Sequence, residues 1–141
     1  MSSGCIFCNI VAGDADACFI HKEDGVVAFM DIRPVSRGHL LVVPTTHGSS
    51  PSDLPADDVL KTFEVALRVA EGVKRSDLQP AGINLFLADG RAAGQEVFHL
   101  HVHVIPRYGE DGFHISADAW AKPAPGRNEL GDTAALIAAA L

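Results

Sequence analysis

Short apolar runs come first along this chain, then one long periodic stretch, then short runs again. In "ACFIHKEDGVVAFMDIRP" two apolar segments flank "KEDG". That pattern predicts two short strands joined by a turn in which Gly25 takes a positive φ. "GHLLVVP" reads as a third strand, aliphatic and β-branched, closed by Pro44. "THGSSPSDLP" is a loop by its Ser, Gly and Pro content. From about Pro55 to Ser76, Val59, Leu60, Phe63, Leu67, Ala70 and Val73 recur near a 3.6-residue period, the pattern of a helix with one apolar face. Pro55 suits its first turn, and Asp57 and Asp58 suit the positive end of its dipole. "GINLFLA" predicts a fourth strand, "DGRAAGQ" a Gly-rich loop and "VFHLHVHVIPR" a fifth strand. "KPAPG" is a loop, and "NELGDTAALIAAAL" a short Ala-rich C-terminal helix. Strands, one long helix, then strands, without regular βαβ alternation, predict an α+β fold with a mainly antiparallel sheet.

The fifth strand carries His99, His101 and His103 at alternate positions among Phe98, Leu100, Val102 and Val104. Residues i, i+2 and i+4 of a strand share one face, at roughly 6–7 Å spacing. A single histidine there would be an ordinary polar-face residue; three in strict alternation are poorly explained that way. Imidazoles sharing one environment cannot all be protonated cheaply. One can attack, a neighbour can give a proton, and a third can be fixed by a metal or a backbone group. A metal-binding histidine tract is the other reading of the pattern.

Bulk properties narrow the classes. A length of 141 residues, 48% of them hydrophobic, suits one domain, residues 1–141, with a real core. The net charge of −7 argues against coating nucleic acid, which needs a basic stripe. It leaves room for a small phosphorylated ligand held by backbone N–H groups. No apolar run reaches the roughly 20 residues of a membrane helix. "MSSGCIFCNI" lacks the pattern of a signal peptide, so the cytoplasm is the expected location.

Cys5 and Cys8, in "CIFC", read as half a metal site or a redox pair. Thioredoxin-like chemistry wants such a pair at a helix N-terminus after a strand, and nothing precedes Cys5 to supply the strand. Half of a tetrahedral zinc site needs a second pair of ligands, for which His47 and His99 are candidates. Cys18, in "ACFI", is expected to be a small buried hydrophobe. His21 and His114 are expected at the surface, and His39 in a structural role.

"HLHVHVI" resembles the alternating histidine signature of the histidine triad (HIT) family of nucleotide hydrolases and transferases. "CIFCNIVAGD", "VVAFMDIRPVSRGHLLVVPTTH" and "GINLFLADGRAAGQEVFHLHVHVIPRY" resemble further blocks of that family, in its order. The likeness covers residues 5 to about 108, leaving 109–141 as a tail with the short helix. It implies a HIT-like fold, a five-stranded antiparallel sheet with one long helix and a short C-terminal helix, and a homodimer. It implies hydrolysis of a purine nucleoside phosphoramidate, phosphate ester or dinucleoside polyphosphate at the α-phosphate, through a covalent nucleotidyl-histidine.

Residue by residue, the resemblance makes His101 the nucleophile. His103 is the histidine at the phosphate and leaving group, where the transferase branch has Gln. Gly94, Gln95 and the backbone around Glu96 and Val97 face the phosphate. Asp31 accepts from the ribose hydroxyls, and Ile10, Phe29 and Ile32 enclose the base. The zinc-bearing branch uses two N-terminal cysteines, a histidine after the third strand and the first triad histidine, which correspond to Cys5, Cys8, His47 and His99. With four protein ligands such a zinc is structural. Magnesium is expected only as company for a polyphosphate substrate. Two positions depart from the family pattern: Glu96 stands where relatives often have a small hydroxyl residue, and Ala88 where many have Asn or Gln. They keep open a purine nucleotide-binding or sensor module with incidental hydrolysis. A zinc-stabilised interaction protein is the third class, and it leaves the intact triad unexplained.

Overall fold

The computed structural model describes residues 4–114 and 123–141, which fall into two compact units, residues 1–111 and 112–141. Lys122, the first residue of the expected "KPAPG" loop, lies outside the described residues. The first unit contains α1 (Ile6–Ala12), β1 (Phe19–Glu23), β2 (Val26–Met30), β3 (Leu40–Pro44), α2 (Ala56–Arg75), β4 (Gly82–Phe86) and β5 (Val102–Arg107). Short 3-10 turns lie at Pro51–Asp53 and Arg91–Ala93. The second unit contains α3 (Arg127–Ala138), whose residues are all exposed.

The five strands form one antiparallel sheet in the order β1-β2-β3-β5-β4. Its two faces are both covered. Val26, Ala28, Leu40, Val42, Val102 and Val104 pack against Val65, Ala66, Ala70 and Val73 of α2. Val27, Phe29, Leu41 and Val43 pack against Phe7 and Ile10 of α1. Coverage on both sides is why β2 and β3 read as continuous apolar runs rather than alternating ones. Parity then gives His103 to the α1 face, because Val102 and Val104 take the α2 face.

Four expectations change. The N-terminal motif forms a helix, α1, which its seven residues were too few to signal by periodicity. The fifth strand begins only at Val102: residues 97–99 bend, so His99 and His101 precede the regular ladder. The third change is the phase of the long helix. It buries Thr62, Val65, Ala66, Ala70 and Val73, while Leu60, Phe63 and Leu67 are 66%, 37% and 57% exposed. Small residues face the sheet and allow close approach; buried Thr62 satisfies its hydroxyl by donating to the Asp58 carbonyl at 2.7 Å. Cys18, too, is exposed rather than buried.

Candidate functional site

The α1 helix brings the cysteines together. Cys5 is its N-cap, and Cys8, one turn on, donates its backbone N–H to Cys5 Sγ. The pair therefore does sit at a helix N-terminus, and its surroundings, not its position, distinguish it from a redox pair. Two imidazoles face it. His99 Nδ1 is 3.5 Å from Cys5 Sγ and 3.5 Å from Cys8 Sγ; His47 Nδ1 is 3.3 Å from Cys8 Sγ and 3.3 Å from His99 Nδ1. All four donor atoms lie within 4.8 Å of one another. Tetrahedral zinc, with Zn–N of about 2.0 Å and Zn–S of about 2.3 Å, requires N···N of about 3.3 Å and S···N of about 3.5 Å. The donor set and spacing fit that ion.

The backbone fixes the tautomer as well. His99 Nε2 lies 2.8 Å from the Pro44 carbonyl oxygen, which can only accept, so Nε2 carries the hydrogen and Nδ1 offers its lone pair to the cluster. His99 is fully buried, and burial lowers its pKa below the ordinary histidine value, with the Pro44 bond opposing and the nearness of the His47 and His101 rings, which disfavours sharing positive charge, assisting.

The same logic runs through the other two histidines. His101 Nδ1 is 2.7 Å from the His99 carbonyl oxygen, so Nδ1 donates and Nε2 keeps a free lone pair. Burial lowers the His101 pKa and keeps the ring neutral, opposed by that hydrogen bond and by Asp31. His103 stands beside it, with ring centroids 4.9 Å apart. In the ladder His103 is flanked by Leu41 of β3 and Phe86 of β4.

His39, expected to be structural, belongs to this group. It is 3% exposed, and its Nε2 lies 2.8 Å from His103 Nδ1. Its own Nδ1 accepts the Val35 N–H at 3.0 Å. A neutral His39 therefore carries its hydrogen on Nε2 and donates to His103 Nδ1, which leaves the His103 hydrogen on Nε2. Asp31 Oδ2 is farther away, 3.5 Å from His39 Nε2. Burial lowers the His39 pKa, against the pull of Asp31. Burial, then the repulsion that protons shared among His103, His101 and His39 would meet, pushes His103 down to about 4, with Asp31 opposing. Asp31, His39 and His103 also converge closely enough for a metal. The Val35 bond argues against one, because it uses the lone pair that would otherwise let Nε2 shed its hydrogen. Neither convergent group is a carboxylate cage, and nothing among the described residues supports a magnesium ion of the protein's own.

These side chains open on a cleft of about 360 Å³ on the α1 face. Ile10, Phe29, Asp31, Ile32, Gly94, Glu96, Val97, His101 and His103 all line it. Ile32 is at the rim, 92% exposed. Asp31 spends Oδ1 on the Arg33 N–H at 2.8 Å, a local turn bond, while still lining the cleft. Gly94 has φ of +87°, which a side chain would strain. Gln95 is the exception among the expected ligands. Its buried amide accepts from Gly90 N–H and donates to the carbonyls of Ser49 and Val97, so it braces the loop and does not line the cleft. Ala88 is buried and Asp89 accepts from the Ser50 hydroxyl; neither lines the cleft.

Phe7, between the two cysteines, is the other residue that the pattern alone did not single out. Its ring stands edge-on to His101 at 5.1 Å and to His99 at 5.9 Å. One short helix with its N-cap thus supplies the two thiols of the Cys–His cluster and a wedge against the histidines.

The HIT domain model matches residues 12–110. The chain belongs to the HIT domain family. A relative named "Protein hit" from Bacillus subtilis is 39% identical over 113 residues, 79% of this chain and 77% of that protein. A Zn-bound histidine triad family protein from Mycobacterium smegmatis superposes with a TM-score of 0.77 at 39% identity, covering 94% of this chain and 91% of the other. A histidine triad nucleotide-binding protein from Candida albicans superposes with a TM-score of 0.81 at 27% identity, covering 95% and 94%. As a HIT protein, the chain is of the nucleotide-binding hydrolase type, with a Cys2His2 cluster suited to zinc. No helix among the described residues is long and apolar enough to cross a membrane.

Proposed function

We propose that this HIT protein is a nucleotidyl hydrolase that cleaves a purine nucleoside phosphoramidate, phosphate ester or dinucleoside polyphosphate at the α-phosphorus. The observation that carries the reading is the His101 tautomer: Nδ1–H is committed to the His99 carbonyl, so Nε2 presents its lone pair in a cleft. In the first step Nε2 bonds to phosphorus while the bond from phosphorus to the leaving atom breaks, its electron pair going to that atom. When the leaving atom is an amine nitrogen, a water molecule gives it a proton while His103 Nε2–H hydrogen-bonds to it. In the second step a second water displaces Nε2 from phosphorus and loses its proton to the hydroxide left by the first. Splitting the displacement in two lowers each barrier. Asp31 accepts from the ribose, and Ile10, Phe29 and Ile32 enclose the base. Gly94, Glu96 and Val97 offer backbone to the phosphate, and Gln95 supports them from beneath.

Cys5, Cys8, His47 and His99 would hold a zinc, which supplies rigidity when bound, fixing the chain beside His101. Reduced thiols in such a set suit the cytoplasm. A second copy of the chain is the expected partner: Leu60, Phe63 and Leu67 form an exposed stripe on α2, and β4 is an open sheet edge.

The test is turnover of a purine nucleoside phosphoramidate, with mass analysis of acid-sensitive nucleotide bound to the protein. Wild type should turn over and carry the adduct at His101; His101→Ala should do neither while still binding the nucleotide. Equal turnover by the two proteins would remove His101 as nucleophile. Binding without turnover in wild type would leave a nucleotide sensor instead.

A further inference from the structure

Glu96 faces the proposed phosphate site with a negative charge. Its Oε2 lies 2.9 Å from an Arg33 guanidinium nitrogen, with side chains 74% and 80% exposed. The two residues are 63 positions apart, one in the β2–β3 connection and one in the segment leading to the histidines, and both line the cleft. The bridge therefore joins two separate segments that line the opening. Among the described residues, the other fully charged side chains lining the cleft are Asp16 and Asp31. Three carboxylates stand against one guanidinium, and that guanidinium is already paired.

The partners of the bridge are not equivalent. Arg33 has a long side chain on an exposed turn, and an exposed ion pair is weak enough to exchange. It can swing away into water. Glu96 has a shorter side chain on the same segment as Gly94 and Val97, which line the cleft, so its charge stays near whatever departs from phosphorus. An anionic leaving group would face Glu96, Asp16 and Asp31. A cationic one would replace Arg33 at Glu96 and gain from the surplus of carboxylates.

Building on the hydrolase reading above, we propose that Glu96 selects the leaving group: the preferred substrates are purine nucleoside phosphoramidates whose amine portion carries a second, positively charged nitrogen. Glu96 is a specificity residue that contacts the departing group, and it takes no part in bond making. The bond broken is P–N, the new bond is from His101 Nε2 to phosphorus, and the amine leaves with its electron pair and a proton from water, while His103 Nε2–H hydrogen-bonds to it. The remote ammonium keeps its charge throughout.

The experiment uses three phosphoramidates of one purine nucleotide, with alkyl amines ending in ammonium, methyl or carboxylate. Reactivity of the P–N bond is held nearly constant, so ratios of kcat/KM within each protein report the charge at the far end. Wild type at low ionic strength should rank ammonium over methyl over carboxylate, with about tenfold per step as one partly screened charge contact allows. Glu96→Gln should collapse the spread, and Arg33→Gln, which frees the carboxylate, should widen it. Equal kcat/KM for all three in wild type, or an unchanged spread in Glu96→Gln, overturns the proposal and leaves the hydrolase reading intact. No turnover of any of the three by wild type overturns both.

Discussion

His39 points Nε2 at Nδ1 of His103 across 2.8 Å, and the Val35 N–H on its other nitrogen determines which ring donates. The direction of this bond sends the His103 hydrogen toward the cleft. His39 is thus a positioning residue acting through His103. Replacing it with Asn should lower kcat by about tenfold to a hundredfold, the lower part of the range for general acid–base groups, with KM little changed. His39→Gln, whose amide reaches farther, should recover part of the loss. An unchanged kcat in His39→Asn would reduce His39 to packing.

His103 makes stability pH-dependent in a defined direction. Its pKa is about 4 in the folded chain against 6.5 for the free residue. Between those values the unfolded chain binds more protons than the folded one, so stability falls as pH drops below about 6.5 and the loss from this group is complete near pH 4. Each pKa unit corresponds to about 1.4 kcal/mol, which sets the loss from His103 at roughly 3 kcal/mol. His39, also lowered by burial, acts in the same direction. Denaturant melts from pH 8 to 4 should show a plateau above 6.5 and a decline below it, shallower in His103→Gln. A proton NMR titration of the His103 ring with a midpoint near 6.5 would refute the assignment.

The Cys–His cluster should carry about one zinc per chain after purification without added metal. Stripping it with a strong chelator should lower Tm by several degrees and reduce turnover, although no proposed reacting atom touches the metal. His99→Ala should lose the metal and weaken the fold, since the ring is fully buried. Cys8→Ser should lose metal with a smaller loss of stability, because Cys8 is less buried. Two freely titrating thiols in a metal-free, fully stable protein would reject the site.

The sheet and the long helix were legible because apolar runs and 3.6-residue spacing reflect burial directly. The phase of α2 was legible only at Ala70 and Val73, which are buried; earlier in the helix Leu60, Phe63 and Leu67 form a better apolar stripe than the buried Thr62 and Ala66. Pattern reading favours bulk, whereas close helix–sheet packing favours small residues. The histidine alternation marks residues that the fold does gather, though not as three positions of one strand: only His103 is in the regular strand, and the bend at residues 97–99 lets His99 point to the cysteines. His39 escaped notice because β3 is apolar on both faces, so parity could not tell which face it joined. The register that sets Leu41 opposite His103 supplies that information, and register is a tertiary property. Phe7 needed α1, and seven residues give too little periodicity to declare a helix.

Gln95 gives a prediction of the opposite kind, a residue near the phosphate site whose side chain serves the loop. Its amide satisfies one backbone N–H and two carbonyls while 5% exposed. Gln95→Leu leaves those groups unpaired and should cost about 1–3 kcal/mol. Gln95→Glu should fare no better, because a carboxylate cannot donate to the carbonyls of Ser49 and Val97. Nucleotide affinity measured well below each variant's Tm should fall less than stability does. A large loss of affinity with unchanged stability would return Gln95 to the ligand.

The exposed stripe on α2 gives the last prediction. Leu60, Phe63 and Leu67 lie three and four residues apart, on one helical face, outside the core of their own chain. Exposed apolar groups arranged contiguously mark an interface more often than scattered ones do. Burying them against a second copy would remove them from water at about 25 cal/mol per Å². Light scattering at micromolar concentration should therefore give the mass of two chains. Leu67→Glu, which adds a charge to the stripe without touching the core, should give the mass of one chain with the circular dichroism spectrum retained. A wild-type mass of one chain would rule out a stable dimer, and a Leu67→Glu dimer would move the contact to another surface.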